Sequence, residues 1–204
     1  MLNKWIKAVL GGAAISVGGV VYCSVENHIA GAFLFAVGLF TIYTFGLNLY
    51  TGKVCLIPQK PLSYFGELAV IYAGNIVGTV GMGYLLRGTK LIRLAETAQS
   101  LASSKLADTP GSAFVMSVLC GVMMCVAVLG FTTIQDGVGK YLALIMPVMV
   151  FLVAGFEHSI ANFFYISLAN LWSLKAIGFS IIYALGNMAG GVILPLASKL
   201  RESH

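Results

Sequence analysis

Charge is what this sequence has least of. Asp, Glu, Lys and Arg together make up 9% of its 204 residues, against 59% hydrophobic ones, whereas a soluble domain is about a quarter charged. With a mean hydropathy of +0.93, a soluble globular fold is excluded and the lipid bilayer becomes the solvent. Cysteine is sparse as well. Cys23, Cys55, Cys120 and Cys125 have neither metal-ligand spacing nor a secreted disulfide pattern, so they read as small apolar fillers, and neither a metal nor a cofactor is expected. A glycine loop ending in lysine that could cradle a nucleotide phosphate is missing. The basic residues are scattered and form no patch, so a nucleic-acid partner is not expected. Ser159 adjoins His158, but neighbours on a helix point about 100° apart. With no separate nucleophile elbow or ligand cluster, an enzyme is not indicated.

Long apolar runs are present in quantity. A helix needs about 20 residues to cross a hydrocarbon core, and the runs at Ala8–Cys23, Ile29–Tyr50, Leu68–Leu86, Ala113–Ile134, Tyr141–Leu171 and Ala176–Leu196 predict six spans. The first is read as a retained span because no small-residue cleavage site follows it. With the N-terminus inside, Lys4, Lys7, Lys53, Lys60, Lys140, Lys199 and Arg201 lie on the cytoplasmic side, and Arg87, Lys90, Arg93, Lys105 and Lys175 lie outside. This seven-to-five bias has the positive-inside sign and places both termini in the cytoplasm. Arg87–Gly111 is the longest polar stretch, and its Leu91, Leu94, Ala95, Ala98 and Leu101 recur at helical spacing. It predicts an amphipathic surface helix, with its charges either solvated or forming a basic mouth that gathers small anions.

Two stretches break the apolar monotony. Gly155-Phe156-Glu157-His158-Ser159-Ile160-Ala161-Asn162 sets two ionisable groups and an amide between uncharged runs. Ionisable residues inside a membrane cost several kcal/mol and line a cavity or meet a partner. The other stretch is Phe45–Lys53, where Gly46 and Gly52 flank Asn48 and Thr51. Glycine and side-chain competition weaken the backbone ladder there, which predicts a helix interrupted near Leu49–Thr51. Gly74-Asn75-Ile76-Val77-Gly78 and Gly186-Asn187-Met188-Ala189-Gly190 share a G-x-x-x-G spacing with asparagine at the same place, and Ile-Tyr precedes each, at 71–72 and 182–183. The chain therefore reads as one transmembrane domain, 1–204, with a three-span repeat at about 1–86, a connector at 87–112 and a second repeat at 113–204. Three spans per repeat would invert the second relative to the first, and such folds set their path at the midplane between broken helices.

Read in order, the second stretch of Leu49-Tyr50-Thr51-Gly52, Leu119-Cys120 with Cys125-Val126-Ala127-Val128, the His158 stretch, and Leu185-Gly186-Asn187 with Gly190-Gly191 resemble the formate/nitrite transporter family over nearly the whole chain. The resemblance implies an all-α, aquaporin-like protomer with broken second and fifth helices, assembled as a homo-pentamer in the cell (inner) membrane, each protomer with its own pore for formate, nitrite or hydrosulfide. It matches His158 to the pore histidine and Thr51 to the loop threonine facing it. Phe35, Leu39 and Phe151 match the constrictions, and Leu49, Tyr50, Gly121 and Met124 fall along the pore wall. Lys105 matches a basic vestibule residue, while Glu157, Asn162 and Asn48 fall where the family braces the broken helices. The sequence departs from the family pattern at Gly121, where an asparagine commonly faces the pore, at Asn48, where an acid is frequent, and in its short termini.

A bare anion loses hydration worth many kcal/mol in an apolar constriction. Half-helix N-termini would offset part of that with free amide donors and about half a positive charge each. The expected function is a channel or transporter for weak-acid anions, formate first and nitrite next, crossing either as the anion or as the neutral acid, with flux rising as external pH falls. Hydrosulfide or another short weak-acid anion is the alternative. A neutral-solute pore is the further rival, and against it no Asn-Pro-Ala triplet occurs.

Overall fold

The computed structural model describes residues 1–202 and their side chains through Ser198; the charges of Lys199 and Arg201 lie outside the described side chains. The helices are α1 (Leu2–Ser24), α2 (His28–Phe35), α3 (Val37–Thr44), α4 (Tyr50–Lys53) continuing into a 3-10 segment (Val54–Gln59), α5 (Tyr64–Arg87), α6 (Ala95–Ala107), α7 (Pro110–Thr133), α8 (Gly137–Val153), α9 (Ser159–Ala169) and α10 (Leu174–Glu202). A 3-10 turn, Lys90–Leu94, precedes α6, and no strand occurs among the described residues.

Among the described residues four helices are long and apolar enough to cross a membrane: α1, α5, α7 and the Leu174–Ser198 part of α10. The other two expected spans are interrupted. Ile29–Tyr50 is realised as α2 and α3, and Tyr141–Leu171 as α8 and α9. The molecule is turned inside out relative to a soluble bundle. Val77, Leu85, Val115 and Ile181 are at least half exposed, whereas Asn75, Thr79, Ser117 and Asn187 are completely buried. Lipid tolerates the former, and in lipid the latter need partners inside the protein.

Small residues let the long helices approach closely. α1 packs most extensively on α5, and α7 on α10. At the first contact Gly12 lies against the Asn75 carbonyl and Gly78 against the Val9 carbonyl; at the second, Gly121 lies against the Asn187 carbonyl and Gly190 against the Val118 carbonyl. A Cβ at any of these four would collide with backbone, so dispersion between backbones replaces the hydrophobic effect that lipid cannot supply.

Caps fix where the shorter helices start. Asn27 accepts from the N–H groups of Ile29 and Ala30 at 3.0 Å each, and Asp136 accepts from Gly139 N–H at the start of α8. The amphipathic connector is present as α6, which buries Ala98 and Ala102 and packs on α9. Its end is tied inward, because the Tyr183 hydroxyl donates to the Lys105 carbonyl at 3.2 Å.

Gly190→Val is expected to destabilise the protein by about 3 kcal/mol through overpacking, seen as a lower melting temperature in detergent. Gly111→Ala, where a Cβ meets open space, should stay within about 0.5 kcal/mol of the parent.

Candidate functional site

The two interruptions are built alike. After α3, Phe45 N–H donates to Thr41 O at 3.0 Å and Leu47 N–H to Ile42 O at 2.9 Å, with Gly46 at φ +60° between them. After α8, Ala154 N–H donates to Val150 O at 2.9 Å and Phe156 N–H to Phe151 O at 2.8 Å, with Gly155 at φ +73°. Only glycine takes that conformation without strain, and it turns the chain out of the helix. The next residue is then clamped to a long helix: Asn48 N–H donates to Lys7 O at 3.1 Å, and Glu157 N–H donates to Met116 O at 3.3 Å. Each residue of the second set lies 109 positions after its counterpart in the first. The break expected near Leu49–Thr51 falls one turn earlier, at 45–49, because Gly46 is where the chain turns, and Thr51 sits inside α4.

One asparagine closes each break. The Asn75 carboxamide accepts from Tyr50 N–H at 2.8 Å and donates to Ala8 O at 2.7 Å and Asn48 O at 2.8 Å. Asn187 accepts from Ser159 N–H at 2.8 Å and donates to Ser117 O at 2.8 Å and Glu157 O at 2.7 Å. Sequence reading saw these residues only as part of a packing motif. Their shared position in two otherwise apolar segments was the available signal, since a buried amide must find partners.

After the breaks, α4 and α9 start near each other. α4 leads toward Glu67, which pairs with Lys4 at 2.7 Å, and α9 packs against α6. At their starts Thr51 Oγ1 and His158 Nε2 meet at 2.9 Å, both buried. Ala161 N–H donates to His158 Nδ1 at 3.1 Å, so that nitrogen is an acceptor. A neutral ring then carries its hydrogen on Nε2 and donates to Thr51, which keeps its hydroxyl hydrogen free for another acceptor. The backbone N–H groups of Thr51 and Ile160, again 109 positions apart, have no hydrogen-bond partner among the described residues.

Beside His158 lies a charged cluster. Lys105 Nζ is 2.9 Å from Glu157 Oε2, with both side chains largely buried. The Asn162 amide donates to the same oxygen at 2.6 Å. The carboxylate oxygen thus has two donors inside the protein and needs none from water.

Two cavities flank this centre. The one on the connector side, about 400 Å³, is lined by Tyr22, Lys105, Asp108, Phe151, Glu157 and His158 among others. The one on the N-terminal side, about 210 Å³, is lined by Leu39, Leu49, Gly52, Lys53, Leu56 and Val128 among others. Phe151 stacks on His158 with centroids 5.4 Å apart, and Phe35 meets Phe151 edge-on at 6.1 Å. His158, Thr51, Phe35, Leu39, Leu49 and Phe151 are therefore brought together.

Three expected pore-wall residues are not among them. Tyr50 turns away, with its ring 4.7 Å from Tyr72 and its hydroxyl donating to Ala184 O at 3.1 Å. Gly121 faces the α10 backbone, so it neither opens a lumen nor leaves room for an amide there. Met124 is buried in the core and lines neither cavity.

Four membrane-length apolar helices among the described residues and two half-helices starting at a shared buried centre define a multi-pass membrane protein. The family-wide sequence model described as Formate/nitrite transporter matches residues 1–199, and the chain belongs to that family. It is 29% identical to the uncharacterized transporter YrhG of Bacillus subtilis, over 92% of this chain and 80% of that one. It is 24% identical to the formate-nitrite transporter of Plasmodium falciparum, over 100% of this chain and 79% of that one. Among solved structures, a pentameric formate channel with formate bound has the same fold, with a TM-score of 0.85 at 22% identity, covering 100% of this chain and 98% of that one.

Asn187→Leu leaves Ser159 N–H without its acceptor and takes a donor from the carbonyls of Glu157 and Ser117, and is expected to cost about 3 kcal/mol, read as loss of thermal stability. Thr79→Val, which removes a hydroxyl donating within its own helix to Asn75 O, should cost under about 1 kcal/mol.

Proposed function

We propose that this chain forms a homo-pentamer of anion-conducting protomers in the cell (inner) membrane, passing small monovalent anions of weak acids, with formate first, nitrite next and hydrosulfide as the alternative. The observation that carries the reading is the meeting of Thr51 Oγ1 and His158 Nε2 at 2.9 Å at the starts of two half-helices. Relatives named for formate and nitrite support the substrate class, and the pentameric channel of the same fold supports the assembly.

The 109-residue correspondence of the two interruptions supports two inverted three-span repeats, with Arg87–Gly111 as connector. The position of Lys4, Lys7 and Lys53 at one face supports cytoplasmic termini. The anion leaves water in one cavity and reaches the centre between two apolar slits, one lined by Phe35 and Leu39 and the other by Phe151. At the centre it takes hydrogen bonds from the Thr51 hydroxyl, which His158 Nε2–H holds in place, and from the free amides of Thr51 and Ile160. These donors replace hydration at a place where an unpaired charge would cost many kcal/mol.

His158 acts as a neutral donor. A second proton would have to sit on Nδ1, facing the N–H of Ala161, and would undo the cap of α9. The proton that accompanies a weak acid is then taken up from the aqueous cavities, and flux rises as the pH on the source side falls.

In proteoliposomes, His158→Phe should lower labelled-formate uptake at least about tenfold, and Thr51→Val about threefold, in line with about 1.4 kcal/mol per factor of ten. His158→Asn should keep the wild-type dependence of uptake on pH. A His158→Asn variant that still conducts but has lost its pH dependence would make the imidazole the proton carrier and overturn this reading.

A further inference from the structure

The two cavities carry unlike charge. Position 48 in the first interruption corresponds to 157 in the second, and position 53 corresponds to 162. On the connector side those positions hold Glu157 and Asn162, and the acid is paired with Lys105. On the N-terminal side they hold Asn48 and Lys53. Asn48 is neutral and spends its amide on the Lys4 carbonyl at 3.3 Å.

The charged residues lining each cavity follow from that exchange. On the connector side these are Lys105, Glu157 and Asp108. Lys105 and Glu157 cancel, and Asp108 is held by the Ser112 hydroxyl and Thr109 N–H, each at 2.7 Å, which leaves about one negative charge. On the N-terminal side Lys53 is, among the described residues, the sole charged residue lining the cavity, with the Lys7 ammonium just outside it, 4.0 Å from where a Cβ on the lining residue Gly46 would sit. It also lines an adjoining cleft with Lys60 and Glu67, and Glu67 is paired with Lys4. Among the described residues Lys53 has no salt bridge.

We propose that Lys53 is the anion-collecting residue of the pore, so that anions enter from the N-terminal face more readily than from the connector face. This rests on the transport reading above and adds to it a direction and a residue. A cavity walled by apolar side chains focuses the field of a single charge, and its lining of Leu39, Leu47, Leu49, Leu56 and Val128 is of that kind. Of the connector's basic residues, Lys105 lines the connector-side cavity. Arg87 donates to the Leu168 carbonyl at 2.7 Å and lines neither cavity, and Lys105 is neutralised by Glu157.

The test is anion current in membrane patches of known sidedness, with equal formate on both faces. At about 10 mM salt the screening length is about 30 Å, and wild-type current carried by anions entering from the N-terminal face should exceed the reverse by roughly 3- to 10-fold. Lys53→Gln should lower that current about threefold and leave the opposite one within a factor of about two. Lys53→Arg should keep the wild-type asymmetry, and Asp108→Asn should raise entry from the connector face. At about 1 M salt, where screening falls to about 3 Å, the asymmetry should vanish. A conducting wild type without sidedness, or a Lys53→Gln variant that slows both directions equally, overturns this inference alone. A wild type that passes no anion from either face overturns the transport reading and this inference with it.

Discussion

Backbone that leaves the helix at membrane depth has no water to satisfy it, and each such group left unpaired costs several kcal/mol. The site exists because Asn75 and Asn187 meet that constraint twice. Each carboxamide bonds the far side of a break to a neighbouring long helix and to the chain just before the break. Without them the interrupted segments would be driven back toward continuous helices, and the starts of α4 and α9 would not meet. The glycine contacts serve the same end. Only when α1 touches α5 and α7 touches α10 backbone to backbone does a short asparagine side chain reach all its partners.

That scaffold explains why charge can be kept beside the centre and yet out of it. Glu157 is buried 6% exposed, but Lys105 and Asn162 both bind its Oε2, so the group needs no solvent. Breaking such a buried pair by removing one partner typically costs 3 to 5 kcal/mol, because an uncompensated ion remains. The pair bridges α6 to the start of α9 and thereby ties the connector to the break. Its net charge is close to zero, so it fixes the position of His158 without adding a strong field to the path.

Much of this was legible in residue order and some was not. The six apolar runs, an interruption close to Gly46, the weight of the His158 stretch and the amphipathic connector follow from hydropathy, glycine placement and the expense of an intramembrane ion. The pairing of Thr51 with His158 came from family resemblance, since nothing local links residues 107 positions apart. The directions of Tyr50 and Gly121 do not follow from residue order, because a neighbour in sequence is not a neighbour in direction. Successive residues of a helix diverge by about 100°, so the side chain after Leu49 points to α10. Gly121 looked like a missing amide, and what decided its role was the α10 backbone across the gap, which one sequence segment cannot show. Lys53 was counted only as one of several cytoplasmic charges, because its meaning depends on the absence of an acid facing the same cavity.

A centre made of neutral donors is also the arrangement that conduction favours. Binding in a pore must be strong enough to draw the ion in and weak enough to let it go. A fixed cation at the narrowest point would hold a formate-sized anion by a charge-assisted bond roughly twice as strong as a neutral one. A hydroxyl oriented by an imidazole N–H and two amides offer hydrogen bonds of the ordinary kind. Full charge is instead set back in the cavities, where water screens it and where Lys53 and the Lys105–Glu157 pair can shape how ions arrive without deciding how long they stay.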